Sequence, residues 1–269
     1  MSLSGKNNAE HTFCICAYKE SIYLEDCVKS LQAQTIQSEI IMVTSTPNQM
    51  ITDVAEKYGV PLYVNDGPGG ITQDWNFALS HAKTPYATVA HQDDLYLPTY
   101  MEEIKKRMKQ ANKPLIAFSD YCELRNEEYV YNTTMLKIKR LMLIPLRFKV
   151  FQNSKFVRRR ILSLGDPICC PAVTFCLEHV KRPIFQHGFR SCEDWEAWEK
   201  ISKQSGSFQY IAKPLMCHRI HEDSATTAII QDHARVKENY IMFCKFWPRW
   251  IAKIINHFYT KSEKSNSLE

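Results

Sequence analysis

Short apolar runs alternate with amphipathic segments through the first 120 residues of the 269-residue chain, and this alternation constrains the fold more than any other feature. The apolar runs have the length and residue types of buried strands, and the segments between them place apolar residues at helical spacing. Strands that alternate with helices form βαβ units, in which helices cover both faces of a parallel sheet. The sequence therefore predicts an α/β fold with a mostly parallel central sheet.

The predicted elements follow one another without long gaps. Strands are expected at His11–Ala17, Glu39–Val43, Pro61–Val64, Tyr86–Ala90 and Leu115–Ser119. Helices are expected at Tyr23–Leu31, Met50–Tyr58, Ile71–Ala82 and Pro98–Met108. Gly59 stands where a helix commonly ends, and Pro98 suits the first position of a helix.

The pattern changes after residue 120. A hairpin is expected at 121–131, and residues 134–164 are expected to be irregular or helical. Further strands are expected at Ala172–Cys176 and Phe208–Ile211, and a helix at Asp194–Ser202. Residues 232–260 have aromatic side chains at helical spacing, and Pro248 is expected to divide them into two helices.

Composition excludes several classes of protein. Apolar residues make up 45% of the chain and charged residues 23%, which excludes a disordered chain, collagen or a coiled coil as the overall class. No apolar run approaches the roughly 18 residues that span a bilayer, and no secretory signal is visible. The ten cysteines form no C-x-x-C pair, so we expect free thiols in a reducing cytoplasm and no zinc site.

The net charge of +5 has a local origin. No acidic residue occurs from Tyr129 to Gly165. The basic residues of this segment are Lys137, Lys139, Arg140, Arg147, Lys149, Lys155, Arg158, Arg159 and Arg160. Such a segment suits phosphate groups or an anionic lipid surface, and an ordinary solvated face is the alternative.

Candidate site residues are sought just after the strands, because ligands of open α/β sheets bind beyond the carboxyl ends of strands. Asp93 and Asp94 follow the fourth predicted strand and His91. Adjacent carboxylates repel each other unless a cation binds beside them, which favours a divalent metal with a diphosphate; a helix cap is the alternative. The glycine-rich turn at 66–70 matches the dinucleotide fingerprint poorly.

Two later segments carry weaker indications. Asp194 stands at the start of a predicted helix, where an acid is often only a cap. His218 and His221 are three residues apart. His221 is within reach of a metal in this reading, although such a pair is more often an ordinary surface or core feature.

In chain order, these segments resemble the motifs of the family 2 glycosyltransferases, which have the GT-A fold. Residues 16–20 (CAYKE) resemble P-x-Y-N-E, residues 30–35 (SLQAQT) resemble S-L-L-x-Q-T, and residues 39–43 (EIIMV) resemble E-I-I-V-V. Residues 69–79 resemble G-x-x-x-A-R-N-x-A-L, with Asn76 on the asparagine. Residues 92–94 resemble the D-x-D-D metal and donor motif, residues 193–195 the E-D motif, and residues 218–224 Y-R-x-H-x-x-S. The resemblance covers about residues 12–228.

The chain departs from the family pattern at three places. The second strand of the family usually ends V-D-D-G-S, with an acid that contacts the nucleoside, whereas this strand is followed by Ser45. His91 replaces the first acid of the metal motif, and Trp75 replaces the arginine beside Asn76. The way in which the nucleoside is held is therefore expected to differ.

The resemblance implies a GT-A domain at 1–230, with a nucleotide-binding half at about 1–120 and an acceptor half at about 121–230. The resemblance leaves a C-terminal helical extension at 231–269. The same resemblance implies an inverting enzyme that moves a sugar from a nucleotide-sugar donor to a hydroxyl acceptor, in bacterial cell-surface polysaccharide or glycolipid synthesis. A UDP-sugar is expected ahead of a GDP- or dTDP-sugar, and the acceptor is expected to be a saccharide or to be linked to a lipid.

The resemblance also implies roles for individual residues. Asp194 is expected to be the catalytic base. Asp93, Asp94 and His221 are expected to hold Mg²⁺ or Mn²⁺. The expected donor contacts are Ala17, Tyr18, Glu20, Ser45, Asn76, Asp93 and Arg219.

Two other functions remain open from the residues. A non-catalytic nucleotide-sugar binding protein would keep the strand-end carboxylates and lose the base. A nucleotidyltransferase would normally show a glycine-rich basic loop after the first strand, which residues 17–20 are not. No motif indicates a nucleic-acid partner.

The sequence also bears on where in the cell the protein acts. We expect a cytoplasmic protein with peripheral contact to an anionic membrane, because apolar side chains are interleaved with the basic residues of 137–160, and aromatic with basic residues near the C-terminus. Packing of the C-terminal aromatic residues under the sheet is the alternative. If the membrane reading is right, charge reversal at Arg158, Arg159 and Arg160 should weaken binding.

Overall fold

The structure is a computed structural model that describes residues 9–221 and 234–266. Within these residues nine strands form one sheet: β1 His11–Ala17, β2 Glu39–Thr44, β3 Leu62–Val64, β4 Tyr86–His91, β5 Leu95–Tyr96, β6 Pro114–Arg125, β7 Glu128–Val130, β8 Val173–Cys176 and β9 Ser207–Ile220. The α-helices are α1 Leu24–Gln32, α2 Gln49–Tyr58, α3 Ile71–His81, α4 Tyr100–Gln110, α5 Thr134–Leu143, α6 Lys149–Gln152, α7 Lys155–Leu162, α8 Glu193–Ser202, α9 Ala234–Cys244 and α10 Arg249–Asn266.

The sheet has the strand order β3-β2-β1-β4-β8-β6-β9-β5, with β7 paired to β6. The first four strands in this order are parallel, as are β6 and β9, whereas β8 runs antiparallel to both of its neighbours. Most of the paired residues are in parallel ladders, so the predicted mostly parallel sheet is confirmed.

Each face of the sheet is buried against helices. In β1, Phe13 and Ile15 pack with residues of α1, α2 and α4, whereas Cys14 packs on the opposite face with residues of α3 and α8. Successive side chains of a strand point to opposite faces, so a strand that is apolar at every position needs cover on both sides. The predicted layers of helix, sheet and helix are confirmed.

Helix α2 shows how local sequence sets the ends of an element. The side chain of Asn48 accepts a hydrogen bond from the N–H of Ile51 at 3.0 Å and caps the first turn. Gly59 ends the helix with a φ of 63°, a conformation that costs glycine little.

The predicted elements of the first 120 residues are present, with ends that shift by a residue or two except in β6. The predicted hairpin at 121–131 is also present, because β6 continues to Arg125 and turns through Asn126 and Glu127 into β7. Strand β5 was not predicted, and β9 extends well beyond its predicted end.

The position expected for Pro98 was wrong. The N–H of Leu97 donates to Leu215 in β9, and the carbonyl of Leu97 accepts from Tyr100 at 3.0 Å, so a turn connects β5 to the helix. Pro98 and Thr99 form this turn, and α4 begins at Tyr100.

The two helices predicted on either side of Pro248 are present and pack near α8. The ring of Trp195 in α8 lies 5.0 Å from that of Phe243 and 6.0 Å from that of Tyr259. The indole N–H of Trp247 donates to the carbonyl of Ser163 at 2.8 Å. The C-terminal helices therefore support the start of α8 and the end of α7.

The basic segment is helical, and one of its arginines is buried. The guanidinium group of Arg158 donates to the carbonyls of Ser202, Gln204 and Gly206, just beyond the end of α8. All ten cysteines are free thiols. Across the described residues, every helix is too short or too polar to cross a bilayer.

Candidate active site

The segments that follow β1, β2 and β4 are tied together at one edge of the sheet. The N–H of Tyr18 donates to the side chain of Gln92 at 2.9 Å, and the amide of Gln92 donates back to the carbonyl of Tyr18 at 3.0 Å. Lys19 has a φ of 53°, and its N–H donates to Thr46 at 2.6 Å. Because β1 and β4 are adjacent and parallel, this edge is where a ligand of an α/β sheet is expected.

Three ligand groups converge at the end of β4. One atom each of His91, Asp93 and Asp94 lies within 4.8 Å of the others. Asp94 is fully buried, and its Oδ1 pairs with the N–H of Arg219 and with Nδ1 of His218, both at 3.0 Å. Oδ2 of Asp94 and Nε2 of His91 are buried without a hydrogen-bond partner in the described structure. Such atoms are rare in folded proteins unless a ligand uses them.

Aromatic stacking fixes the ring of His91. The indole of Trp75 in α3 stacks on the imidazole with 5.2 Å between centroids and 16° between planes. Trp75 occupies the position at which the family motif has an arginine. The stacking therefore links two departures from the family pattern into one contact.

Strand β9 and the residue that follows it contact Asp93 and Asp94. His221 places Nε2 3.0 Å from Oδ2 of Asp93, and Nε of Arg219 donates to the carbonyl of Asp93 at 3.0 Å. The guanidinium of Arg219 also pairs with Glu127 and lies 4.3 Å from the centroid of Tyr23. Arg219 is thus held in place by three neighbours.

Electrostatics favours an ionised carboxylate at Asp93. Burial alone would raise the pKa of Asp93, but His91, His218 and His221 lower it below its usual value. Burial alone would lower the pKa of His218, but the Asp94 carboxylate raises it to about 9. The Asp93 carboxylate is therefore negatively charged and able to bind a cation at neutral pH.

A buried acid lies beside the segment that follows β2. Asp74 of α3 accepts from the hydroxyl of Ser45 at 2.7 Å and from the amide of Asn65 at 2.8 Å. Gly69 approaches closely, since a Cβ on it would meet Oγ of Ser45 at 3.2 Å. Although Ser45 replaces the family acid, Asp74 places a carboxylate next to it.

The predicted donor contacts do not all meet. Ala17 ends β1 and is buried, whereas Tyr18 and Glu20 are exposed beside it. The amide of Asn76 pairs with the backbone of Phe185 at 2.8 and 3.2 Å, so it is occupied by protein. The structure does not support a donor contact for Asn76, which stays a prediction.

Asp194 is the second residue of α8. Glu238 of α9 accepts the N–H groups of Arg190 and Ser191, each at 2.9 Å, and thereby holds the loop ahead of this helix. Oδ1 of Asp194 accepts the N–H of Trp195 at 2.8 Å. Burial, together with the Asp194 carboxylate, raises the pKa of Asp166 in the segment after α7 well above its usual value.

Cys169 is a thiol whose pKa responds to charges on both sides of the site. Burial raises the pKa of this thiol well above its usual value, Lys139 lowers it, and both Asp94 and Asp194 raise it.

Sequence reasoning missed three residues of this region. His91 was read as the loss of a ligand, yet it offers a nitrogen to the cluster. Asp74 lies inside an amphipathic helix and Asp166 in a connecting segment, where no local pattern marks them. Ser224 of the last motif lies outside the described residues.

Comparison with known proteins identifies a family for this chain. Residues 12–177 match the family described as glycosyl transferase family 2. No curated protein matches the chain.

Among solved structures, S. aureus TarS 1-349 in complex with UDP-GlcNAc is similar with a TM-score of 0.62 and 15% identity, over 92% of this chain and 70% of that one. The mannosyltransferase PcManGT from Pyrobaculum calidifontis, in complex with GDP-Man and Mn²⁺, is similar with a TM-score of 0.63 and 14% identity, over the same shares. At such identities the structural likeness shows the fold. The family match covers more than half of the residues, so the chain belongs to glycosyl transferase family 2 and has the GT-A fold.

Proposed function

We propose that the protein transfers a sugar from a nucleotide-sugar donor to a hydroxyl acceptor in one in-line displacement that inverts the anomeric carbon. The observation that carries this proposal is the cluster of His91, Asp93 and Asp94 at the end of β4, whose ligand atoms lie within 4.8 Å of one another. This cluster suits a diphosphate with its cation, and the carboxylate of Asp194 suits a hydroxyl that must lose a proton.

His91, Asp93 and Asp94 fit a divalent cation such as Mn²⁺ or Mg²⁺. Oδ2 of Asp94 lies 3.7 Å from Nδ1 of His91 and has no hydrogen-bond partner in the described structure, and neither has Nε2 of His91. Carboxylate oxygens are preferred ligands of both ions. When bound, such an ion stabilises the negative charge that collects on the leaving diphosphate. His221 already contacts Asp93, so we assign it the role of orienting that carboxylate instead of the predicted role of ligand.

The donor is proposed to lie across the ends of β1 and β2. Tyr18 is exposed there, and Ser45 with the buried Asp74 forms the wall below it. A hydroxyl supported by a carboxylate can accept or donate a hydrogen bond, which suits the polar edge of a nucleobase. Similar structures hold UDP-GlcNAc and GDP-Man, and we expect a UDP-sugar to bind ahead of GDP- and dTDP-sugars.

Asp194 is proposed to take the proton of the acceptor hydroxyl while its oxygen bonds to the anomeric carbon and the diphosphate departs with the bonding electron pair. Arg219 donates from its backbone N–H to Asp94 and from Nε to the carbonyl of Asp93, so we propose that it holds both residues in place; its donor contact stays a prediction.

A metal titration tests the proposal. Calorimetry with UDP-GlcNAc and with GDP-mannose, in Mn²⁺ and in EDTA, should show binding that requires the metal. Release of nucleoside diphosphate should then identify the donor that is turned over. Asp194→Asn should keep donor affinity and lose about 10²–10⁴ in transfer rate, because it removes basicity and little volume. Donor binding of equal strength in EDTA would contradict the metal site, and full transfer by Asp194→Asn would contradict the base.

Peripheral contact with an anionic membrane is proposed for a surface on α5–α7 and α10, which we call the basic–apolar surface. Large apolar side chains are exposed there at Ile138, Leu141, Ile144, Phe148, Val150, Phe151, Phe156, Trp250, Ile254 and Phe258. Exposed Lys137, Lys149 and Lys155 are interleaved with them. Apolar side chains among basic ones suit the headgroup layer.

The residues that test this contact differ from those expected from sequence. Arg158 is buried, and Arg159 pairs with Glu199 at 2.7 Å. Neither is therefore available to lipid, contrary to the prediction from sequence. Sedimentation with anionic vesicles at low salt should instead weaken on charge reversal at Lys149 and Lys155. Neutral vesicles serve as the control, and absence of binding to anionic vesicles at low salt would contradict the contact.

A further inference from the structure

A cleft beside α7 has basic and aromatic side chains that the proposed transfer reaction does not use. It lies between α7 and the segment that joins α9 to α10, and it is lined by Phe156, Arg159, Arg160, Ser163 and Phe246. Its volume is about 130 Å³, whereas a cavity for a single water needs only about 10–15 Å³. The cleft therefore has room for a group of several heavy atoms.

Arg160 gives the cleft a cation whose charge is not neutralised. Its guanidinium lies 4.7 Å from the ring centroid of Trp247 and 5.5 Å from that of Phe156. The two rings hold the side chain but leave its charge in place. Within residues 9–221 and 234–266 this guanidinium has neither a carboxylate partner nor a hydrogen-bond acceptor, so its N–H donors remain available to a ligand.

Arg159 adds to the positive charge of the cleft. Its Nη1 lies 2.7 Å from Oε1 of the buried Glu199, and Nζ of Lys203 lies 2.7 Å from the same oxygen. Two cations therefore share one carboxylate, and a positive charge remains even before Arg160 is counted. Such a site favours a compact anion, and phosphate oxygens are good acceptors for the N–H groups of arginine.

The aromatic side chains favour an anion that also has an apolar part. Phe156 is 71% exposed and belongs to the basic–apolar surface, so the cleft borders that surface. Trp250, three residues after Trp247, is also exposed at the start of α10. A soluble phosphate gains nothing from exposed apolar side chains, whereas a phosphate ester with acyl chains can contact both the cations and the rings.

We infer that this cleft binds the phosphate group of one anionic phospholipid. Arg160 donates hydrogen bonds to the phosphate oxygens, Arg159 adds positive charge, and an acyl chain lies along Phe156. The inference rests on the proposed membrane contact and gives that contact a specific site. The three consecutive arginines then differ in role, because Arg158 supports the fold and Arg160 is the one that meets the lipid.

Vesicle binding by variants that lose one charge tests the site. Vesicles of phosphatidylglycerol in phosphatidylcholine are mixed with the full chain, and Arg160→Gln is compared with Arg147→Gln. Arg147 is an exposed residue of the same basic segment that does not line the cleft. Loss of one basic residue near an anionic surface should weaken binding about fivefold. Arg160→Gln should weaken it about 10- to 100-fold, because hydrogen bonds to phosphate are lost as well.

A short-chain lipid tests the site without a membrane surface. Dihexanoyl-phosphatidylglycerol is kept below the concentration at which it forms micelles, and the protein carries Trp250→Phe so that the exposed indole does not respond. The lipid should change the fluorescence of Trp247 to saturation, and Arg160→Gln should bind it about tenfold more weakly or worse. Inorganic phosphate and zwitterionic dihexanoyl-phosphatidylcholine should both bind more weakly than the anionic lipid.

The outcomes separate the site from the membrane contact. Vesicle binding that Arg160→Gln weakens no more than Arg147→Gln does would overturn the site and leave the contact in place. Absence of vesicle binding, together with binding of the short-chain lipid that depends on Arg160, would contradict the contact and support the site. The assignment to a phospholipid is overturned if the short-chain lipid does not bind to saturation, or if inorganic phosphate binds as tightly.

Discussion

Replacement of the buried Arg158 should lower the free energy of unfolding more than any other substitution in the basic segment 129–165. Its guanidinium donates to Ser202 at 2.8 Å, to Gly206 at 2.6 Å and to Gln204, and it lies 4.9 Å from the centroid of Phe208. Burial lowers the pKa of Arg158 to about 10, so it still carries its charge at neutral pH.

The size of the effect follows from which carbonyls can find water afterwards. A hydrogen bond to a charged donor contributes about 1.5–3 kcal/mol, and a buried acceptor left without a partner loses most of that. Ser202 is fully buried, whereas Gln204 and Gly206 are half-buried and can be rehydrated in part. We therefore expect Arg158→Met to lower the free energy of unfolding by about 3–5 kcal/mol, the range for removing one partner of a buried charged contact.

Chemical denaturation followed by circular dichroism measures this difference. Arg160→Met is the matched control, because Arg160 is exposed and its guanidinium lies over two ring faces, 4.7 Å from the centroid of Trp247 and 5.5 Å from that of Phe156. An exposed contact of this kind contributes about 0.5–1 kcal/mol. If Arg158→Met is no more destabilising than Arg160→Met, the carbonyls beyond α8 do not depend on the guanidinium and the reasoning is refuted.

Three further predictions concern other parts of the chain. Asp94→Asn should weaken Mn²⁺ binding by about 10- to 100-fold or more, measured by calorimetry without nucleotide, whereas Asp26→Asn on the surface of α1 should leave it unchanged. Asp74→Asn should lower the free energy of unfolding by about 1–3 kcal/mol, because Ser45 and Asn65 both donate to this side chain and one of them would meet another donor; Asp53→Asn, at an exposed position, is its control. Gly206→Ala should be more destabilising than Gly188→Ala, since both glycines have positive φ but only at Gly206 would a Cβ lie 2.5 Å from a backbone oxygen; equal losses would contradict the steric argument.

The helices and strands of the first half were predictable because their signals are local. Apolar periodicity and a few caps, such as Asn48 and Gly59, depend on residues within a turn or two of one another. The extension of β9 was not predictable in this way. Lys213 and Pro214 interrupt its apolar pattern, and the residues beyond them continue the strand because they pair with β6 over a long register. Pairing partners of a strand are set by the tertiary fold, which a local pattern does not contain.

In the basic segment, the helical period indicates that Arg158 is buried, but the sequence analysis considered only its charge. Three consecutive arginines look alike as a charged run. On a helix, however, Arg158 shares a face with Ile161 and Leu162, at spacings of three and four, and all three are buried. The helical period therefore separates Arg158 from its two neighbours, and the charge count does not.

The candidate site also contains residues with a local signal in the sequence and contacts that only the tertiary fold determines. Asp93 and Asp94 were found because they follow a strand, where side chains reach the edge of a sheet, whereas Asp194 was proposed from its resemblance to the family motif. The partners that hold Asp94, which are His218 and Arg219, are far away in sequence. A substitution such as His91 for an acid looks like a lost ligand when only the motif is considered. In the structure the imidazole is stacked on Trp75, and its Nδ1 lies 3.7 Å from Oδ2 of Asp94, so the position keeps a candidate ligand atom and changes its chemistry. Nitrogen ligands are accepted more readily by Mn²⁺ than by Mg²⁺, which prefers an all-oxygen shell. The histidine at this position therefore favours Mn²⁺ over Mg²⁺, and a protein that binds Mg²⁺ as tightly as Mn²⁺ in calorimetry would show that His91 does not contact the ion.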